Sequence, residues 1–422
     1  MSNYSNLERR IAVFLKNSPY LKQSLKRLYQ YLMLLFYKKN YTFKSNFNIE
    51  KVLNNNNENF FGYYDKSPEK NGFYILHQCI TSTDVSPQKY INEDSEVYVS
   101  LIKNKKIIFN EKTKAFNWQQ GSKLQWLNDN LFIYNDINNK GEIISRLFDI
   151  NGNNIQNIST PIYDGFEDKY FLSIDFKVLS ILRPDYGYFT KNTWKNVEFN
   201  RQSIKITYLN NNFTTDLIKL PDLIKKYPLD DEINMSNQKF NHIVVSPKGD
   251  KFLFLHRYYK NNVRYDRFFF YSFHSGKYYL ISDSGMISHY CWMNDNSIIV
   301  YMDYNNNTGY FSVEIDDTYN STIKKIYVNN LDDYGDGHPT YIGNNKFITD
   351  TYPNKSRMKK LLLVDMGKNE LYEIAEFYEP MKYKLETRCD LHPKWSSSEK
   401  CIYVDSTHTG KRYLYKIGPI NV

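Results

Sequence analysis

Residues 241–250 read Asn-His-Ile-Val-Val-Ser-Pro-Lys-Gly-Asp, and residues 251–256 continue with Lys-Phe-Leu-Phe-Leu-His. An apolar strand, a Pro/Gly turn and a second apolar strand follow one another here. Related units begin near Phe61, Asn117, Tyr163, Ser288, Gly337 and Leu391. Seven units at spacings of mostly about 47 to 56 residues predict the four-stranded blades of an all-β, seven-bladed β-propeller. An array of β-sandwiches is the alternative.

The composition agrees with an all-β chain. Aromatic residues make up 17% of the 422 residues, with 39 Tyr and 27 Phe, and such residues favour strands. The longest gap between units, residues 184–240, predicts an insertion with a short helix at Leu217–Tyr227. Four cysteines, at positions 79, 291, 389 and 401, form no Cys-x-x-Cys pair. We therefore expect buried free thiols rather than a disulfide framework.

The positive charge is concentrated near the N-terminus. Residues 9–49 contain nine Lys or Arg and no Asp or Glu, which leaves 46 basic residues against 46 acidic ones in the rest of the chain. The neutral remainder does not indicate nucleic acid as a partner. We expect two regions, a basic amphipathic helical segment at 1–46 and the propeller at 47–422.

Helical periodicity marks the N-terminal segment. Its leucines recur at spacings of four and three, at positions 21, 25, 28, 32 and 35, and Ser18 and Pro19 suit a helix start. The apolar run Tyr31–Tyr37 is too short to span a bilayer. Residues 10–40 therefore predict a helix on an anionic membrane surface, in a cytoplasmic protein held at the inner membrane. Packing on the propeller or on a second copy of the chain is the alternative.

Four of the eight histidines share one position in consecutive units: His242, His289, His338 and His392. Equivalent positions of a propeller converge on its axis, and neutral imidazoles that meet at one point suit a divalent transition metal. A structural ring of histidines bonded between blades is the alternative. A second polar set ends the following strand of each unit, at His77, Asp136, Arg183, His256, Asp303, Asp350 and Asp405.

Arginine and further polar residues accompany the histidines. We predict that Arg257 and Arg388 bind a carboxylate or phosphate of the substrate, because arginine contacts such groups with two parallel hydrogen bonds. Tyr186 and Gln120 are further predicted substrate contacts. We predict that His77 or His256 transfers the proton, since imidazole titrates near working pH, and that Arg183 is also catalytic. Salt bridges between blades are the alternative for each arginine.

The segments 241–256, 337–341 and 390–396 resemble the oligogalacturonate lyase family and TolB-like propellers. The resemblance implies a seven-bladed propeller with manganese held by three histidines and a glutamine, an acidic sugar as substrate, and a basic residue that removes the proton next to its carboxylate. The matching positions are His242, His338 and His392, with His289 in the same register and Gln119 or Gln120 for the glutamine.

The segments 60–65, 182–188 and 405–412 also resemble propeller proteins encoded among bacterial capsule and O-antigen genes. The resemblance implies a carbohydrate-active enzyme of surface polysaccharide biosynthesis or processing, with an acidic or lipid-linked glycan as partner. A glycosyltransferase of polysaccharide assembly is one alternative. A non-catalytic propeller that binds glycan or organises other proteins is another.

Overall fold

The strands form seven antiparallel sheets, the blades of one β-propeller. This computed structural model describes residues 19–81, 95–188, 197–229 and 233–420. Two short strands, β1 (Phe43–Ser45) and β2 (Ile49–Lys51), precede blade 1. Blade 1 contains β3 (Glu58–Phe60), β4 (Glu69–Lys70), β5 (Phe73–Thr81), β6 (Ser95–Lys103) and β7 (Lys106–Thr113). Blade 2 contains β8 (Gln125–Trp126), β9 (Leu131–Ile137), β10 (Ile143–Asp149) and β11 (Asn154–Ile158).

The next two blades follow the same order from the axis outwards. Blade 3 contains β12 (Asp164–Phe166), β13 (Tyr170–Ser173), β14 (Ser203–Tyr208) and β15 (Thr214–Lys219). Blade 4 contains β16 (Gln238–Val245), β17 (Lys251–Lys260), β18 (Val263–Ser272) and β19 (Lys277–Gly285).

Three more blades complete the ring. Blade 5 contains β20 (Ile287–Trp292), β21 (Ser297–Tyr304), β22 (Asn307–Ile315) and β23 (Ser321–Lys325). Blade 6 contains β24 (Thr340–Gly343), β25 (Lys346–Asp350), β26 (Met358–Asp365) and β27 (Glu370–Tyr378). Blade 7 contains β28 (Lys394–Ser396), β29 (Cys401–Ser406) and β30 (Tyr413–Ile417). The predicted seven-bladed propeller is confirmed.

Helices are few and lie between or outside the blades. They are α1 (Pro19–Tyr37), α2 (Phe176–Leu182) and α3 (Leu220–Lys226), with 3₁₀ turns at Phe199–Arg201, Met235–Asn237, Leu331–Tyr334 and Leu385–Thr387. The predicted N-terminal helix is therefore present. Within the described residues, none of the helices combines the length and apolar character needed to cross a bilayer.

The N-terminal segment closes the ring. Strand β2 pairs with β30 as the fourth strand of blade 7, with Ile49 opposite Ile417. Strand β1 pairs with β27 and gives blade 6 a fifth strand, with Phe43 opposite Phe377. Residues 43–45 thus belong to a blade, although the boundary expected at residue 46 placed them with the helical segment. Their backbone groups complete the exposed edge of blade 6.

The predicted insertion at 184–240 is mostly part of a blade. Strands β14 and β15, the outer half of blade 3, lie within it. The predicted helix Leu217–Tyr227 begins only at Leu220, because residues 214–219 pair with β14 as a strand. All four cysteines carry free thiols, as expected.

The core lies between the blades. Aromatic side chains fill this layer, for example the cross-strand pairs Phe254 with Phe269 and Phe252 with Tyr271 of blade 4, whose ring centroids are 5.2 and 5.0 Å apart. These rings share one buried cluster with apolar residues of blade 3. At one end of the propeller, which we call the mouth face, the innermost strand of each blade begins and the second strand ends. Residue 338 lies just before β24 on this face, opposite Asp350 at the end of β25.

Candidate functional site: a histidine cluster on the propeller axis

Irregular backbone directs the histidines into the channel. In blades 4 and 5 the pairing of the two inner strands is interrupted at His242 and at His289. His242 and His392 have positive φ angles of 49° and 46°. Bulges and left-handed residues re-aim side chains, and they are tolerated where the surrounding structure holds them.

All four predicted histidines meet at the axis. The ring centroids of His242 and His289 are 5.9 Å apart, those of His289 and His338 4.1 Å, and those of His338 and His392 4.3 Å. Each of the four is at most 6% exposed. The four histidines that share one position in the sequence repeat therefore lie together in the structure.

Two tyrosines of blade 1 lie among the histidines. The chain leaves β3 at Phe61 and passes through the channel, so that the Tyr63 ring lies 5.4 Å from His242 and 5.0 Å from His392. The Tyr64 ring lies 5.3 Å from His338. The Tyr63 hydroxyl is 2.9 Å from His242 Nδ1, and the Tyr64 hydroxyl donates to the Tyr290 carbonyl at 2.9 Å. Sequence reasoning placed this segment at the start of a unit but missed its entry into the channel.

The path of this segment depends on Gly62. Its φ angle is 120°, and a Cβ there would come within 2.9 Å of the backbone carbonyl carbon of Gln120. Asp405 receives hydrogen bonds from the backbone N–H groups of Phe61 and Gly62, both at 3.0 Å. The two tyrosines are thereby held on the axis.

Acceptors on neighbouring residues fix the orientation of three rings. His338 Nδ1 lies 2.8 Å from an Asp350 carboxylate oxygen, and His289 Nδ1 lies 3.2 Å from Asp336. His392 Nδ1 lies 3.1 Å from the Gly62 carbonyl. Because a carbonyl and a carboxylate only accept, each Nδ1 carries a proton, and Nε2 offers a lone pair when the ring is neutral. Asp350 belongs to the second polar set, which ends the following strand of each unit, whereas Asp336 lies outside that set.

One group of three has the spacing of a metal site. The ligand atoms of His338, Asp390 and His392 all lie within 4.8 Å of one another, and the three residues are buried. Within the part of the chain that the structure describes, His392 Nε2 is buried without a hydrogen-bond partner, and an unmade bond of this kind costs about 1–3 kcal/mol. Two imidazoles and a carboxylate suit manganese or another divalent transition metal. These residues therefore fit the divalent metal that the resemblance implies. Asp390 is a member of the group, whereas the sequence predicted only histidines and a glutamine as ligands.

Burial keeps most of these histidines neutral. Burial lowers the pKa of His242 and of His392 well below the ordinary value, and His289 is lowered in the same way. Burial also disfavours charge on His338, but the neighbouring Asp350 outweighs it and raises the pKa of this ring. Neutral imidazole is the form that binds metal.

Arginines surround the cluster at the mouth face. Arg388 donates to Asp390 at 2.8 Å and to Asp185 at 3.1 Å, and Arg183 pairs with the other oxygen of Asp185 at 3.1 Å. The side chains of Arg183 and Arg388 are each 27% exposed. Tyr186, predicted to bind substrate, lies beneath Arg183, whose guanidinium carbon is 4.7 Å from the centre of its ring.

A second arginine group adjoins the first. Arg257 is buried and pairs with Asp266, which Arg264 also contacts at 3.3 Å. Arg183 interacts electrostatically with this group and with Arg388. Four arginines thus face three carboxylates, and we call them the arginine cluster: Arg183, Arg257, Arg264 and Arg388. Its excess positive charge suits an anionic ligand.

Sequence reasoning missed Lys239 in β16. This fully buried lysine lies opposite Arg257 in the sheet, and its amine contacts the Leu182 carbonyl at 3.3 Å and the Tyr259 hydroxyl at 3.2 Å. Burial, with the charges of Arg257 and Arg183, lowers its pKa to about 6. The signal that could have revealed it is a lysine three residues before His242 in the same inner strand.

The structure places His77 and His256 outside the cluster. His77 donates from Nδ1 to the Phe61 carbonyl at 3.1 Å and accepts at Nε2 from the Ser122 amide at 3.0 Å. His256 lies between Gln238 at 3.0 Å and Arg267 at 3.1 Å. Because both nitrogens of each ring are engaged within a blade or between blades, these contacts favour a structural role over the predicted proton transfer.

Gln119 and Gln120, which precede β8 of blade 2, both approach the channel. Gln120 donates to the Tyr163 hydroxyl at 3.4 Å, and Gln119 donates to the Arg388 carbonyl at 2.8 Å. Their side-chain oxygens are buried and have no partner among the described residues. Both oxygens are therefore available as acceptors for a ligand.

Acid is expected to destabilise the protein through His77. Burial lowers the pKa of this ring to about 4, against about 6.5 in an unfolded chain. The unfolded state therefore binds the proton more readily, and stability present above about pH 6.5 is lost as the pH falls towards 4. Between about pH 7 and pH 5 the loss attributable to His77 is about 2 kcal/mol.

Urea unfolding at the two pH values measures this loss. The variant His77→Gln, which keeps an acceptor and a donor, should show a pH dependence smaller by that amount. An equal pH dependence in both proteins would show that His77 does not titrate as expected.

The whole propeller is similar to solved structures. An oligogalacturonate lyase in complex with manganese matches with a TM-score of 0.57 and 11% identity, over 90% of this chain and 94% of that one. The chain shares the fold of oligogalacturonate lyase. A second oligogalacturonate lyase, from Vibrio parahaemolyticus, matches with a TM-score of 0.55 and 8% identity, over 89% of this chain and 96% of that one.

The similarity to oligogalacturonate lyase extends beyond residues 240–415, where the sequence motifs lie, because it covers most of the chain. TolB from Acinetobacter baumannii matches at a TM-score of 0.40 and 10% identity, over 82% of this chain and 79% of that one. No family model and no curated protein sequence matches the chain.

Proposed function

We propose that the protein is a metal-dependent, carbohydrate-active enzyme that cleaves an acidic glycan of the bacterial surface by elimination. The observation that carries the proposal is the buried, unpartnered Nε2 of His392 in a group with His338 and Asp390, next to the arginine cluster. A divalent cation there, manganese by preference, would withdraw electron density from a sugar carboxylate and acidify the adjacent C–H bond.

The protein's own residues would bind and orient the sugar. Arg183 and Arg388 are partly exposed and lie on either side of Asp185, so their free N–H groups would hold a second carboxylate of the glycan. The charge of Asp185 keeps the pKa of Arg183 raised although burial opposes this. Arg183 therefore acts as a cation rather than as a proton acceptor.

Lys239 is our proposed proton acceptor. With a pKa of about 6, its amine is largely neutral at neutral pH and matches the pKa range of an efficient base. The proton on the carbon next to the carboxylate would pass to this amine, and the electron pair would form a double bond to the neighbouring carbon. The glycosidic C–O bond at that carbon breaks, and the leaving oxygen takes a proton from water.

Turnover of a uronate oligosaccharide tests the proposal. Oligogalacturonate and uronate-containing capsule fragments, incubated with the protein and Mn²⁺, should yield products that absorb ultraviolet light through the new double bond, and EDTA should abolish this. Arg183→Ala should reduce kcat/KM by about tenfold to a hundredfold, since a charge-assisted hydrogen bond contributes about 1.5–3 kcal/mol. Arg201→Ala, which removes an exposed arginine paired with Glu198, is the matched control.

Other outcomes identify the alternatives. Consumption of a nucleotide sugar without formation of unsaturated product would replace the lyase by a glycosyltransferase. Binding of the glycan without any turnover would indicate a non-catalytic propeller.

A further inference from the structure

The leucine stripe of α1 faces away from the propeller. Leu28 is 56% exposed, and Leu35 and Phe36 are each 78% exposed. Leu25 and Leu32, on the same stripe, are exposed as well. Monomeric proteins seldom present a contiguous apolar surface of this kind without an interaction partner. The exposure of the stripe does not favour its packing on the propeller, one of the alternatives from the sequence.

The helix is nevertheless attached to the propeller. Its partly buried side bears Arg27, Gln30, Met33 and Leu34. Directly after it, Lys39 pairs with Glu376 at 2.7 Å, and the Tyr41 hydroxyl donates to the same carboxylate at 2.6 Å. These contacts and strand β1 hold the C-terminal end of the helix at the edge of blade 6.

The C-terminal end of the helix lies at the mouth face. The Tyr37 ring at this end is 5.8 Å from the Lys355 amine. Lys355 belongs to the mouth-face loop 351–357, whose Tyr352 ring is 6.2 Å from His338. The helix therefore joins the propeller on the face at which the histidine cluster lies.

The charge of the segment selects among the possible partners. No Asp or Glu occurs at residues 9–49, whereas Lys22, Lys26, Arg27 and Lys38 accompany the stripe. A second copy would bring two basic helices together, and their like charges would repel. An anionic lipid surface instead accepts the apolar side chains and attracts the lysines and arginines.

We propose that α1 lies in the surface of an anionic membrane and turns the mouth face of the propeller towards the lipid headgroups. In this orientation the arginine cluster meets a glycan at the membrane surface rather than one in free solution. This proposal is independent of the reaction proposed above, because it rests on the helix and its position alone.

Vesicle sedimentation of the full-length protein tests the docking. The protein should bind vesicles of phosphatidylcholine with phosphatidylglycerol and should bind pure phosphatidylcholine at least about tenfold more weakly. The double variant Leu28→Glu/Leu35→Glu should lose binding by at least about tenfold. Ile155→Glu, which alters an isoleucine 53% exposed in the outer strand of blade 2, should bind like the wild type.

Hydrogen exchange of the vesicle-bound protein tests the orientation. Protection should appear in α1 and in the mouth-face loop 351–357, and not in the turn 366–369 at the opposite end of blade 6. Equal binding of the double variant and the wild type would overturn the docking. A dimer in solution that the double variant dissociates, without vesicle binding, would assign the stripe to a second copy. Protection at 366–369 instead of 351–357 would overturn the orientation.

Discussion

Replacing His392 by alanine is expected to weaken Mn²⁺ binding by at least about a hundredfold. Residues that only support metal ligands typically contribute tenfold to a hundredfold in affinity, and His392 would contact the ion directly. Its Nε2 is buried and has no hydrogen-bond partner among the described residues, while its Nδ1 donates to the Gly62 carbonyl, so a bound ion would satisfy the Nε2 lone pair. Isothermal titration with Mn²⁺ and metal analysis of the purified protein measure the effect.

The same measurement on other variants separates this site from unspecific binding. His338→Ala should behave like His392→Ala, because the two rings belong to one group with Asp390. His274→Ala, which removes an exposed histidine in the turn between β18 and β19, should bind Mn²⁺ like the wild type. If all three variants bind alike, the metal lies elsewhere and the histidines form a structural ring.

Replacing Gly337 by alanine is expected to destabilise the protein by about 3 kcal/mol, at the upper end of what overpacking of a buried position costs. A Cβ at this position would overlap the backbone carbonyl oxygen of Asp350 and the Thr349 hydroxyl. Backbone cannot give way as a flexible side chain can, so β25 and the segment before β24 must separate. The midpoint of urea unfolding measures the loss.

Gly337→Ala should also weaken Mn²⁺ binding at the histidine cluster. His338 receives its orientation from Asp350, through its amide at 2.9 Å and its ring at 2.8 Å. A displaced Asp350 also loosens His392, whose amide donates to the same carboxylate at 3.0 Å. Mn²⁺ affinity should therefore fall in the fraction that remains folded. Gly367→Ala is the control, since its Cβ would approach only the Asp365 and Asn345 side chains, at 3.4 and 3.9 Å. Equal stability of the two variants would contradict the argument.

The aspartates that the sequence placed at the end of the second strand of each unit differ in what they do in the structure. Asp350 and Asp405 were singled out for ending the second strand of a unit, and both lie beside the axis. Asp350 supports His338, but Asp405 bonds the backbone of Phe61 and Gly62 across the junction of blades 7 and 1. Asp136 similarly receives the Lys114 amide of blade 1 at 2.8 Å. These carboxylates join successive blades. The repeat in the sequence does not distinguish this role from that of lining the channel.

The sequence by itself determined the repeat, the common register of His242, His289, His338 and His392, and the separation of a basic helix from a neutral propeller. These follow from local periodicity, because residues at equivalent positions of similar units point in the same direction.

Only the tertiary structure decided which side chains meet. Tyr63 and Tyr64 enter the channel because Gly62 turns the chain there, and Asp390 joins His338 because blades 6 and 7 are neighbours on the axis. Burial, together with the charges of Arg257 and Arg183, lowers the pKa of Lys239, and this burial arises only in the folded ring. Likewise, the outward direction of the leucine stripe depends on how β1 and Lys39 attach α1 to blade 6. Contacts between blades arise from the closure of the ring, and local periodicity does not encode them.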